Sequence, residues 1–267
     1  MIKKLIVLGC LVAALLLFAV SSGLASQPFS LDPFGRLGSA SPSINGVLRT
    51  TRSPFGFVIT STPARTHSLS VSAWIFQLSK AVPITPAIGF ATDETCAYGG
   101  QEFISDYDGL GKIAGCTSDN SSDGTRTAVI LSSCIISTGV WYNVVWTHQE
   151  SGYNRLYINN VLVGQVATGP NTAGYAGTFK IGTYAKVDPG TWHFDGYTDD
   201  VAIWDRAITS TEVSAIYQDN RTTSPLTIAP GAGVECYRFN VLGTASIIGE
   251  KGGVGTIHGA AQVVPTP

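Results

Sequence analysis

The chain has 267 residues, a net charge of −2 and 13% charged residues, about half the usual share. A surface so close to neutral gives no electrostatic basis for binding nucleic acid or an anionic membrane. Low charge with abundant Ser, Thr, Gly and Asn is the balance of an exported β-protein rather than a helical cytosolic one.

Residues 1–25 read as a signal peptide: Lys3-Lys4, an apolar run from Leu5 to Val20, then small residues to Ala25, with Ser26 as the expected mature terminus. The alternative is a retained anchor, because the apolar run is near the lower limit of a membrane span. Cleavage leaves no membrane segment, and the expected location is secreted or cell-surface. Four cysteines then remain: Cys96, Cys116, Cys134 and Cys236. An even count without a C-x-x-C in an oxidising compartment favours disulfides over zinc or redox chemistry.

Residues 26–42 form an irregular lead-in rich in Pro, Gly and Ser. Ser68 to Phe76 alternates, with Leu69, Val71, Ala73 and Ile75 on one face and Ser70, Ser72, Trp74 and Phe76 on the other. Ala87 to Thr92 is a short strand in a loop-rich stretch, and Lys112 to Thr117 with Arg126 to Ser132 form a hairpin. Taking these three strands as neighbours puts Cys96 and Cys134 at one sheet end. That assumed order favours Cys96–Cys134 and, by elimination, Cys116–Cys236.

Trp141 to Thr147 carries apolar groups on both faces and belongs mid-sheet. The turn Asn159-Asn160 predicts Ile158 opposite Val161 and Leu156 opposite Val163 on the core face. Arg155, Tyr157, Leu162 and Gly164 then share the other face, the solvent side if only one face is covered. Thr209 and Glu212 form a capping box that opens a helix ending near Asp219. Residues 221–233 are a Thr/Pro/Gly linker, Cys236 to Phe239 a strand, and Val254 to Val264 a short strand pair. This tail is too short to bury a core of its own.

Trp141…Val144-Val145-Trp146-Thr147…Arg155-Leu156-Tyr157-Ile158-Asn159-Asn160, Phe179-Lys180-Ile181-Gly182 and the run from Phe194 to Tyr217 resemble the laminin-G-like, or concanavalin A-like lectin/glucanase, jelly-roll family over residues 68–217. Thr198 and Asn160 depart from its pattern. The resemblance implies an all-β antiparallel jelly-roll sandwich spanning 43–220, one short helix near 209–219, and a tail, 221–267, that packs on the same sandwich. It is specific for fold and leaves function open.

Retaining hydrolases of this fold need two carboxylates about 5 Å apart in one cleft. None of the six glutamates has the required spacing, and Asp199 and Asp200 should alternate to opposite faces of a strand. The four histidines are scattered and no G-x-S-x-G occurs. In calcium-binding relatives the position of Asp199 supplies a ligand, so the resemblance offers calcium there; the competing role is bonding backbone amides of the turn. Trp192 and Tyr184, on the loop side of 179–197, are candidates for stacking on sugar, with core packing as the alternative. The leading expectation is a secreted, non-enzymatic module that binds a glycan or an extracellular protein surface, with calcium assistance. A self-assembling coat or filament subunit is the alternative, and a glycoside hydrolase the third.

Overall fold

The structure is a computed structural model that describes residues 46–52, 54–63, 68–80, 85–90, 101–106, 111–118, 126–168, 178–183 and 193–267. The leader, the lead-in, Cys96, Tyr184 and Trp192 lie outside these residues. The chain divides into Met1–Ala40 and Ser41–Pro267, and all described residues belong to the second unit.

The strands, in chain order, are β1 (Val47–Arg52), β2 (Phe55–Pro63), β3 (Leu69–Gln77), β4 (Thr85–Phe90), β5 (Gln101–Asp106), β6 (Lys112–Ser118), β7 (Arg126–Ile135), β8 (Trp141–His148), β9 (Tyr153–Ile158), β10 (Val161–Ala167), β11 (Thr178–Ile181) and β12 (Gly196–Trp204). Two helices follow, α1 (Ser210–Asp219) and α2 (Pro225–Ile228), and then β13 (Gly233–Tyr237), β14 (Ser246–Ile248), β15 (Val254–Gly259) and β16 (Gln262–Val264). One sheet runs β10-β9-β8-β3-β12, with β1 and β13 sharing the far edge of β12 and β16 beyond β1. The other runs β2-β11-β4-β5-β6-β7, with β15 and β14 on the other side of β2. β1 joins the sheets, because Leu48 to Thr50 pair β12 while Thr51 and Arg52 pair β2. Every pairing among the described residues is antiparallel, as the jelly-roll reading requires.

The sandwich core follows from strand alternation. Val71, Ala73 and Ile75 lie opposite Trp146, Val144 and Tyr142, and Leu156 and Ile158 extend the same inner face. All are buried, and each of the Val, Leu and Ile side chains contributes about 1.5–3 kcal/mol by leaving water. β8 is buried at every position between β3 and β9, as its two apolar faces predict. The reason is that its outer face is also covered. Val213 and Ile216 of α1 pack on Val145, Tyr157, Ala202, Trp204 and Cys236.

That cover corrects one expectation: Tyr157 is only 7% exposed, under the helix, and not on a solvent side. The Asn159-Asn160 turn has φ of 48° and 65°, the two positive values of a type I′ turn. Ile158 pairs Val161 as predicted, but a bulge between Leu162 and Gly164 sets Gly164, not Val163, opposite Leu156. The capping box is present, Thr209 and Glu212 bonding reciprocally, and Asn220 ends α1 in the left-handed conformation. The expected linker contains α2, started by the Ser224 cap and Pro225.

Two readings of strand order also change. β5 lies between β4 and β6, so β4 runs opposite to β7 and their ends point to opposite sheet ends. The geometry behind Cys96–Cys134 is therefore not the observed one. Cys116–Cys236 is overturned directly, since Cys236 is a free thiol, fully buried in the helix-covered cluster. In the tail, β15 and β16 do not pair each other. β15 adds to β2, and β16 adds to β1. Buried Glu235 accepts the amides of Cys236, Lys251 and Gly253, which fixes the turn before β15.

Candidate functional site

Asp199 lies on a bulge. It pairs Trp74, but Ala202 pairs Ser72, so β12 spends one more residue than β3, and Asp200 takes the extra place with φ of 45°. The bulge breaks the expected alternation. Both carboxyls enter one buried network, each residue 2% exposed. Asp199 Oδ1 accepts the Asp200 amide at 2.9 Å, and its Oδ2 lies 3.4 Å from Arg221 Nη1. Arg238 Nε donates to Asp200 Oδ1 at 2.9 Å, and Nη2 donates to the Arg221 carbonyl at 2.8 Å.

Arg221 reaches this place because Asn220 and Arg221 both have positive φ, which turns the chain from the end of α1 down onto the sheet. Its guanidinium stands over Trp141 at 4.4 Å and Trp74 at 5.2 Å, and Tyr217 stacks on Trp74. Burial, then the charge of Asp200, pushes the Asp199 carboxyl up to about 8 against the pull of Arg221. Burial likewise pushes Asp200 up to about 6, opposed by Arg238.

These residues do not fit calcium. The ion takes six to eight oxygen ligands at about 2.3–2.6 Å. Asp199 has one oxygen on an amide and the other on a guanidinium, so arginine stands where the cation would be. No group of three or more His, Cys, Asp or Glu converges among the described residues. The network's two carboxyls are also sealed from substrate. Its physical role is a latch that ties the end of α1 and the end of β13 to β12.

The second place is on the opposite flat of the sandwich. Phe57 pairs His258 across β2 and β15, and Ile59 pairs both Thr256 and Lys180. Directly paired residues share a face, so these side chains lie on the outer face of the second sheet, away from both helices. Four rings stack there in a column. His258 and Phe57 are 5.1 Å apart, Phe57 and His193 5.5 Å, and His193 and Phe55 5.4 Å. Phe57 and His193 are buried in its middle, while Phe55 and His258 at the ends are half-exposed. Lys180 stands on the same face, its ammonium pKa lowered by burial.

Tyr184 and Trp192 lie outside the described residues; Thr183 and His193 pair with each other. Asp199 belongs to the helix-covered face of the other sheet, so the structure does not bring it to the ring column. Sequence reasoning missed Phe55, Phe57, His193 and His258. The spacing Phe55-Gly56-Phe57 was a visible strand signal, but the partner ring two hundred residues away was not.

No curated protein matches the chain in sequence. Among solved structures it resembles a candidate carbohydrate-binding protein from Bacteroides ovatus, with TM-score 0.60 and 15% identity, covering 84% of this chain and 61% of that one. It thus spans less than two thirds of that protein. A native heptameric SAP-like pentraxin from Limulus polyphemus aligns with TM-score 0.51 and 16% identity over 80% of this chain and 95% of its own. At such identities the likeness shows fold alone. The sequence profile of the concanavalin A-like lectin/glucanases superfamily matches residues 55–214, more than half of the chain and all of β2 through the first turn of α1. The chain belongs to the concanavalin A-like lectin/glucanases superfamily.

Proposed function

We propose that the protein is a non-catalytic module that acts outside the cell and binds a glycan at the ring column of the second sheet. The carrying observation is that column: stacked rings whose ends, Phe55 and His258, are half-exposed on a sheet face that no helix among the described residues covers. A sugar ring offers apolar C–H groups on one face and hydroxyls at its edge. The first suit an aromatic surface, and the second suit hydrogen bonds from His258 and Lys180. The structural likeness to a candidate carbohydrate-binding protein supports the reading. The leader-like residues 1–25 support an extracellular site of action.

Turnover is not part of the proposal. Glycoside hydrolysis needs one protonated and one ionised carboxyl beside the substrate. Asp199 and Asp200 are neighbours with raised pKa values, yet both are sealed beneath arginine and helix. Contacts of the proposed kind are weak, on the order of 4–8 kcal/mol, or millimolar to micromolar. The test is calorimetric titration of the exported protein with neutral polysaccharides, with and without EDTA. Phe55→Ala and His258→Ala should each weaken binding about tenfold, a change of about 1.4 kcal/mol, with no EDTA effect. Undiminished binding in both variants would move the site elsewhere. Absence of binding together with large species by size-exclusion would favour an assembly subunit.

A further inference from the structure

The C-terminal tail borders a half-open cavity of about 370 Å³, within the range of about 300–1,000 Å³ for small-molecule sites. None of its lining residues belongs to the ring column, so it is a separate place on the molecule. Two charged groups line it. Arg238 is held by Nε to Asp200 and by Nη2 to the Arg221 carbonyl, which leaves Nη1 without a partner among the described residues. Glu250 is held by its amide to the Cys236 carbonyl and by Oε2, which accepts the Ser224 hydroxyl. Its Oε1 accepts nothing from the described residues.

Asn240, Thr244 and Ser246 add short polar groups, and buried Ile247 supplies an apolar wall. The turn that carries Glu250 is stiffened by Glu235, which accepts the amides of Lys251 and Gly253. The cavity thus presents an anchored donor, an acceptor and an apolar side, with lining charges that cancel. A charged ligand would set a like charge against either Arg238 or Glu250. A neutral polyol satisfies both, because each hydroxyl both donates and accepts.

We infer that this cavity is a second binding site, which takes one neutral sugar unit. It is independent of the ring column and gives the module two points of contact with a glycan. Two sites on one molecule raise the apparent affinity for a long chain through effective concentration.

The experiment is a titration of the isotope-labelled full chain with glucose, galactose and arabinose, read from backbone amide shifts. Shifts should localise to residues 238–250, with a dissociation constant on the order of 1–10 mM. Ser246 is exposed, so Ser246→Trp should fold and fill the cavity; it should abolish these shifts and leave polysaccharide binding by the ring column in place. Glu250→Gln should weaken them several-fold, and Phe55→Ala should leave them unchanged. No shift in 238–250 with any of the three sugars would overturn the inference, as would shifts that survive Ser246→Trp. Shifts with glucuronate or glucosamine alone would overturn the neutral class of ligand.

Discussion

Replacing Arg221 by methionine tests the buried latch. Methionine keeps an unbranched stem and places sulfur against Trp74 and Trp141, a contact of about 0.3–1.5 kcal/mol that offsets part of the lost cation–π attraction. What remains is the charge. Asp199 keeps a carboxyl that is 2% exposed and loses its cation. Removing one partner of a buried pair costs about 3–5 kcal/mol, which for a domain of this size lowers the melting midpoint by roughly 6–20 °C.

In the Asp199→Asn background the remaining carboxylate, Asp200, keeps Arg238 as its own cation, so Arg221→Met should cost only about 1–2 kcal/mol, the residual ring contact. The coupling energy of the pair is therefore more than about 1 kcal/mol. The penalty must also depend on pH. Asp199, already pushed up to about 8, can shed its charge by taking a proton, so Arg221→Met should be less harmful near pH 6 than near pH 9. Urea melts of the four proteins at both pH values supply the numbers. Additive losses, or a penalty that ignores pH, would show that Arg221 and Asp199 are not coupled.

The wild-type protein should be most stable in mild acid. Asp199 and Asp200, raised to about 8 and about 6, contribute stability that is full below the unfolded carboxylate value and is lost as pH rises through these values. Glu212, held near 2 chiefly by Arg206, contributes stability present above about pH 4.5 and lost as pH falls toward 2. A midpoint that climbs steadily from pH 5 to 9 would contradict the sign for the two aspartates, and a Glu212→Gln variant as acid-sensitive as the wild type below pH 4.5 would contradict the sign for Glu212. Ile158→Asp and Tyr157→Asp should each unfold the domain, because both residues are buried and neither site offers a new carboxylate a partner. A native-like urea melt for Tyr157→Asp would mean that α1 does not cover that face. Cys236 should resist alkylation in the folded state and react after denaturation, since its thiol is fully buried and its pKa raised by burial; a peptide joining it to Cys116 would refute this.

The hairpin, the capping box, the central strand and the sandwich class were legible in the sequence because each rests on local spacing. Asn159-Asn160 needs only two residues to declare a turn, and Thr209 with Glu212 only four to declare a helix start. Three things were not legible, and each involves a non-local partner or a single inserted residue. The bulge at Asp200 turns a strand that should alternate into one that sends two carboxyls to the same network. The pairing of β15 with β2 brings His258 to Phe57 across two hundred residues, and no pattern in either segment points to the other. The helix cover over Tyr157 looks like solvent in the strand itself, because its alternation marks one face as core and is silent on what docks against the second. Calcium at Asp199 was offered by resemblance, and the arginine that stands there instead comes from beyond the helix.

The central claim is that the exposed ends of the ring column bind sugar without turning it over. The most direct measurement is incubation of the protein with a panel of β-glucans, galactans and sulfated polysaccharides, following pull-down and reducing ends in the same samples. The account predicts retention on at least one neutral polysaccharide, lost in the Phe55→Ala/His258→Ala double variant, with reducing ends at background throughout. Turnover that one Asp or Glu substitution abolishes, or retention that the double variant keeps in full, would contradict it.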